Sequence, residues 1–211
     1  MPRAVRATDA TQKAQRRAAI LSAARHLFRR TSYPALTMAQ VAAAAGVAKG
    51  TLYLSFPTKE ALFLDLLAEA YGAWFRAVAA GLSRVKGAPS LARLLARSVV
   101  DGPDFVALAV LGPTVLEHNV DPERALAYKR ALLQGTAELA QALETRKLVK
   151  RGQGWRLLVR LHAMVLGLQP HASPAPVVAA LLARPELHPF RLDFAAELEG
   201  FLLDLLRGME H

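Results

Sequence analysis

Apolar positions along this chain recur at helical spacing. Ile20, Ala24, Leu27 and Phe28 form one stripe over roughly residues 12–30, while Arg16, Arg17, Arg25, Arg29 and Arg30 stay off it, as in an amphipathic helix. Thr31-Ser32-Tyr33-Pro34 breaks the stripe, because proline disfavours helical backbone at the residue before it. Thr37 reads as the N-cap of a short helix near 38–45, with Met38, Val41 and Ala42 facing inward. Gly46 supplies a turn, and Ala48 opens a second short helix that runs to about Ser55. Pro57-Thr58 stops it, and Thr58 caps a long helix carrying Leu62, Leu66, Ala73 and Val78 to about Leu82. Further helices are predicted near 89–100, 103–118, 122–147, 151–168, 174–183 and 191–207, punctuated by Pro89, Gly102-Pro103, Asp121-Pro122, Gly152, Pro170, Pro174 and Pro189. No run alternates polar with β-branched residues. The prediction is all-α: a three-helix, helix-turn-helix unit over 1–56 and a helical bundle over 57–211.

Composition narrows the class. A hydrophobic content of 53% excludes a disordered chain. With no cysteine there are no disulfides, thiolate nucleophiles or cysteine-based zinc sites, which fits a reducing interior. Residues 1–10 are polar and basic with no apolar run behind them, so no signal peptide is expected. The longest apolar stretch, Leu157 to Leu168, is interrupted by Arg160 and His162 and falls short of a span of about 20 residues. A soluble cytoplasmic protein with no membrane partner is expected.

Charge is unevenly placed. Residues 1–60 hold ten basic residues (Arg3, Arg6, Lys13, Arg16, Arg17, Arg25, Arg29, Arg30, Lys49 and Lys59) against only Asp9 and Glu60. The remaining residues hold 17 basic and 15 acidic, so one end carries most of the net charge of +10. A basic patch confined to one subdomain favours nucleic acid, or less often an anionic membrane surface. Other chemistry finds no support. Lys49-Gly50-Thr51 places lysine before glycine, the wrong order for a phosphate-binding loop. Gly152-Gln153-Gly154-Trp155 has neither a preceding strand nor a third glycine for a dinucleotide site, and reads as a loop opening a helix. His26, His118, His162, His171 and His188 are scattered, so neither a metal site nor a catalytic constellation is predicted. The chain reads as a non-enzyme without a cofactor.

Residues 20–62 carry a more specific signal. The pattern Ile20, Ala23-Ala24, Leu27-Phe28, Tyr33, Leu36-Thr37-Met38, Val41-Ala42, Ala45-Gly46-Val47-Ala48-Lys49-Gly50-Thr51-Leu52-Tyr53, Phe56-Pro57-Thr58-Lys59-Glu60 and Leu62 resembles the DNA-binding domain of the tetracycline-repressor (TetR) family. Three positions depart from the family pattern: Ser32 stands where glycine is usual, Ala48 where a hydroxyl normally caps the recognition helix, and Ser55 where histidine or tyrosine is common.

The resemblance implies a homodimeric transcription regulator, a repressor released from a pseudo-palindromic double-stranded DNA operator by a small-molecule effector. It implies that Thr37 caps the second helix and bonds a phosphate, that Ala48, Lys49, Gly50 and Thr51 open the groove-reading helix, and that Tyr53, Ser55 and Lys59 reach the backbone. Arg16 and Arg17 would add phosphate or minor-groove contacts. Leu52 and Phe56 fall on the core side by spacing, and Val47 packs the turn. The last two long helices would form the dimer bundle through Leu158, Leu161, Val165, Phe194, Leu198, Phe201 and Leu205, with Gln169 to His188 as an arm around the partner. An effector pocket would draw on Tyr71, Trp74, Phe75, Phe105, His118, Asn119, Tyr128 and Trp155, with Gly112-Pro113 bending a helix beside it. Two other readings stay open: a sequence-independent architectural DNA binder, and a helical small-molecule-binding protein or enzyme with a relic motif.

Overall fold

The computed structural model describes residues 3–102 and 104–210, with the backbone alone for residues 3–10 and 210. Pro103 and the side chains of Arg3, Arg6 and Asp9, which entered the sequence reading, lie outside the described part. The described residues form ten α-helices and no strand: α1 (Arg3–Phe28), α2 (Met38–Ala44), α3 (Lys49–Ser55), α4 (Lys59–Gly81), α5 (Ala88–Val100), α6 (Phe105–Thr114), α7 (Pro122–Thr145), α8 (Gly154–Ala172), α9 (Pro176–Leu181) and α10 (Phe194–Glu210). Short 3-10 turns occupy Leu82–Arg84, Leu116–His118 and Pro185–Phe190. No single helix among the described residues is long and apolar enough to cross a membrane.

The helix boundaries follow local chemistry. Thr37 closes a reciprocal cap: its Oγ1 accepts the Gln40 amide at 3.3 Å, and Gln40 Oε1 accepts the Thr37 amide at 2.8 Å. Thr58 Oγ1 accepts the Ala61 amide at 3.0 Å and starts α4. Asp121 Oδ1 accepts the amides of Glu123 and Arg124 at 3.0 and 3.2 Å, with Pro122 in the first turn of α7. Gly46, at φ +66°, provides the left-handed residue that turns α2 toward α3. Proline does not always end a helix here: α8 continues through Pro170 to Ala172 before the break predicted near residue 168 takes effect.

The chain divides into two compact units. The first comprises Met1–Leu67 and Gly112–Leu126. Its core holds Ile20, Leu36, Val41, Leu52, Phe56, Leu62 and Phe63, each 1% exposed or less. Phe63 meets Phe28 and Tyr33 edge-to-face, with ring centroids 5.3 and 4.9 Å away. The second comprises Ala68–Leu111 and Ala127–His211. There α10 packs on α5 and α8, and Arg93 on α5 pairs with Glu199 on α10 at 3.2 Å. Gly154 opens α8 against the backbone of Ala140 on α7, where an added Cβ would sit 2.5 Å from a carbonyl oxygen. Only glycine permits that approach. The helices α4 and α7 each contribute residues to both units.

Candidate nucleic-acid interface and effector cavity

An isolated seven-residue helix is unstable in water, so α3 depends on tertiary anchors. Leu52 and the C-capping Phe56, both fully buried, supply them. The Val47 amide also donates to the Ala42 carbonyl at 3.0 Å, which locks the turn. With Leu52 pointing inward, Lys49, Gly50, Tyr53 and Leu54 point outward. The helix therefore presents a cation, a bare stretch of backbone, a phenol and an apolar side chain. Ala48 occupies the N-cap without a side-chain bond, as its lack of a hydroxyl requires.

Two polar clusters brace this unit. Asp65 on α4 accepts from Arg17 of α1 and, at 3.0 Å, from Arg124 of α7. Both guanidiniums lie over the Phe56 ring, 4.7 and 5.8 Å from its centroid. The second cluster surrounds Tyr33. Lys59 donates to the carbonyls of Tyr33 and Leu36 at 2.9 and 3.0 Å, and its ammonium sits 4.1 Å from the Tyr33 ring centroid. The Tyr33 hydroxyl donates to Glu60 at 3.1 Å. Burial first, then the adjacent Glu60 carboxylate, push the Tyr33 phenol well above its ordinary range.

The second unit contains a cavity of about 230 Å³ among α4, α5, α6, α7 and α8. Tyr71, Trp74, Phe75 and Phe105 form its aromatic wall. Tyr71 meets Phe105 edge-to-face at 5.0 Å, and Trp74 stacks on Phe105 at 5.5 Å. Two wall polar groups are already paired: Tyr71 Oη lies 2.8 Å from His162 Nδ1, and Trp74 Nε1 donates to Ser98 at 3.0 Å. Lys129 and Thr136 complete the polar lining. Trp155, Leu133 and Val159 line it from positions that stay solvent-exposed. Such a cavity suits an apolar body with one polar group.

Family models match the helix-turn-helix and the helical unit that follows it. Residues 20–66 match "Bacterial regulatory proteins, tetR family", and residues 68–211 match "Tetracyclin repressor-like, C-terminal domain". The chain belongs to the TetR family. It is a helix-turn-helix DNA-binding transcription regulator of the ligand-responsive kind. No curated protein matches it. Among solved structures it is similar to Thermus thermophilus FadR, a TetR-family repressor in complex with lauroyl-CoA, at 26% identity and TM-score 0.57, covering 90% of this chain and 92% of that one. The fold also matches the multidrug binding protein EbrR complexed with imidazole, at 17% identity and TM-score 0.61, over 92% and 94% of the two chains. The fatty acid degradation regulator FadR from Bacillus halodurans matches at 18% identity and TM-score 0.59, over 93% and 97%.

The expected site residues of this TetR-family regulator separate by environment. Arg16, Thr37, Ala48, Lys49, Gly50 and Tyr53 are exposed on the first unit, and Thr51 is partly so. Arg16 bonds locally to the Gln12 carbonyl at 3.3 Å, and Ser55 donates to the Thr51 carbonyl at 3.3 Å. Arg17 and Lys59 differ from expectation, because the Asp65 carboxylate and the loop carbonyls engage their charged groups. Of the pocket candidates, Tyr71, Trp74, Phe75, Phe105 and Trp155 line the cavity; His118, Asn119 and Tyr128 do not. His118 lies in the first unit instead, in the turn before α7. Gly112-Pro113 also lies away from the cavity lining, and Gly112 backs onto Leu67. Lys129, Thr136 and His162 also line the cavity, and no local spacing in the sequence marks them.

The interface residues divide similarly. Leu158, Leu161, Val165 and Leu198 are buried within the chain itself, and the first three line the cavity. Phe194 and Leu205 keep part of their surface and Phe201 about half of it.

Proposed function

We propose that this regulator is a homodimeric repressor that reads a pseudo-palindromic operator and releases it when an apolar effector enters the second unit. The carrying observation is the outward face of α3, where Lys49, Gly50 and Tyr53 stand above a buried Leu52. Gly50 lets the helix approach a groove closely, while Lys49 and Tyr53 reach phosphates or base edges. Thr37, Thr51 and Arg16 extend this surface. Arg17 and Lys59 stabilise the fold of the first unit rather than touch DNA.

The effector reading draws support from the aromatic wall and from the cavity volume of 230 Å³. An apolar cavity of about 150 Å³ holds benzene; this one accepts a fused bicycle or a medium-length hydrocarbon chain. Thermus thermophilus FadR, which holds lauroyl-CoA, is a precedent for an acyl body. Control requires that the effector bind the DNA-competent and released conformations unequally. With α4 and α7 each running through both units, either helix offers a continuous lever. The protein acts in the cytoplasm as a binding module without catalysis.

Dimerisation is supported by apolar surface that one subunit leaves uncovered. Val177 and Phe190 are 69% and 68% exposed, and Val178, Leu181 and Phe201 are also uncovered. These residues lie on α9, on the 3-10 turn at Pro185–Phe190 and on α10.

Fluorescence anisotropy on a duplex selected from random DNA by the full chain tests the reading. The Lys49→Ala/Tyr53→Ala variant is expected to bind at least tenfold more weakly, with a shallower salt dependence. Affinity equal to the parent contradicts the assignment.

A further inference from the structure

Leu54 is 89% exposed, the highest value among the large apolar side chains described. The fold makes no use of it. Leu52 and Phe56 already anchor α3, and a surface position on so short a helix gains nothing from a bare isobutyl group. Its setting is specific. Leu54 follows Gly50 by four residues, so the two share one strip of the helix surface. Helical side chains lean toward the N-terminus, so Leu54 leans toward Gly50 without covering it. A Cβ built on Gly50 meets nothing within 4 Å, so the space beside Leu54 is open. Lys49 and Tyr53 flank the strip with polar groups.

We propose that Leu54 reads the 5-methyl group of a thymine, making it a specificity-determining residue of the interface. The proposal rests on the reading of α3 as the groove-reading helix. The base edges of the major groove are hydrogen-bond donors and acceptors, with one apolar exception, the thymine methyl. An apolar knob on a groove-reading helix therefore has one complementary group available. Gly50 lets the base edge come close enough for that methyl to lie against the leucine. Lys49 and Tyr53 hold the register through phosphates or neighbouring edges but do not distinguish thymine from cytosine by this contact.

The test uses the full chain and a duplex it selects from random DNA. Each thymine is replaced singly by deoxyuridine, which removes the methyl and retains base pairing. Parent and Leu54→Ala are compared by anisotropy, with Leu54→Gln as a second variant and circular dichroism to confirm folding. At one thymine per half-site, deoxyuridine is expected to weaken the parent about fourfold, the value of one buried carbon. At that position Leu54→Ala and Leu54→Gln are indifferent to the substitution. A selected site without a thymine in the protected groove overturns the proposal. So does a site where every thymine tolerates deoxyuridine, or where the penalty is equal in parent and variants. If the parent selects no sequence at all, the groove-reading role of α3 fails as well, and that outcome is distinguishable from the others.

Discussion

Tyr71 of α4 and His162 of α8 share a 2.8 Å hydrogen bond in the wall of the second unit's cavity. The pair lets two polar groups line a mostly apolar chamber, because a paired polar group costs far less in apolar surroundings than one lacking a partner. Tyr71→Phe removes the hydroxyl that pairs with His162 Nδ1. The expected result is a loss of about 1–2 kcal/mol of stability and weaker uptake of an apolar fluorescent dye. Urea unfolding and dye titration measure the two effects; an unchanged midpoint and dye affinity contradict the account.

Gly135 backs the Phe75 ring of the cavity wall. A Cβ at this position would lie 2.4 Å from Cδ2 and Cε2 of Phe75. Gly135→Ala gains helix propensity of about 1 kcal/mol, but it must displace an aromatic ring in the wall, and overpacking costs about 1–3 kcal/mol. The clash wins. The variant is expected to be slightly less stable, with dye affinity reduced severalfold while operator affinity holds. A variant more stable than the parent with intact dye binding contradicts this.

The lysines of the first unit should fail in different ways. Lys59→Met removes both carbonyl bonds and the contact with the Tyr33 ring. It is expected to lower stability by about 1–2 kcal/mol while leaving operator affinity near that of the parent under folded conditions. Lys49→Ala, at an exposed position, is expected to reduce operator affinity with little change in thermal midpoint. The assignment is wrong if the two phenotypes are exchanged.

Tyr33 gives the unit a pH dependence of known sign. The folded state holds the phenolic proton more tightly than the unfolded chain does, through burial and the Glu60 carboxylate. The associated stability is fully present below the unfolded value of about 10 and declines as pH rises beyond it. Urea midpoints between pH 9 and 11 should fall more steeply for the parent than for Tyr33→Phe. Parallel profiles would remove Tyr33 as the cause.

Much of this architecture was legible because its signals are local. Thr37, Thr58 and Asp121 announce helix starts through bonds to amides two or three residues away, and Gly46 announces the turn. Periodicity also placed Leu52 and Phe56 inside. It did not reveal what a buried face meets. Leu161 on α8 and Leu198 on α10 belong to apolar stripes that suit a dimer seam or a monomer core equally, and only the tertiary structure puts them inside one subunit. Lys49 and Lys59 both open helices, yet the Tyr33 and Leu36 carbonyls lie beside only the latter. Likewise, nothing near His162 in the sequence indicates that Tyr71, 91 positions earlier, is its partner.

The central claim is that two copies of the α2–α3 reader engage one duplex on equivalent faces. Hydroxyl-radical footprinting of the full chain on its selected duplex measures this most directly. The account predicts two symmetric protected stretches with centres about 34–36 Å apart, one helical turn of DNA or a multiple of it. A single unpaired protected patch, or uniform protection along every duplex tested, would contradict it.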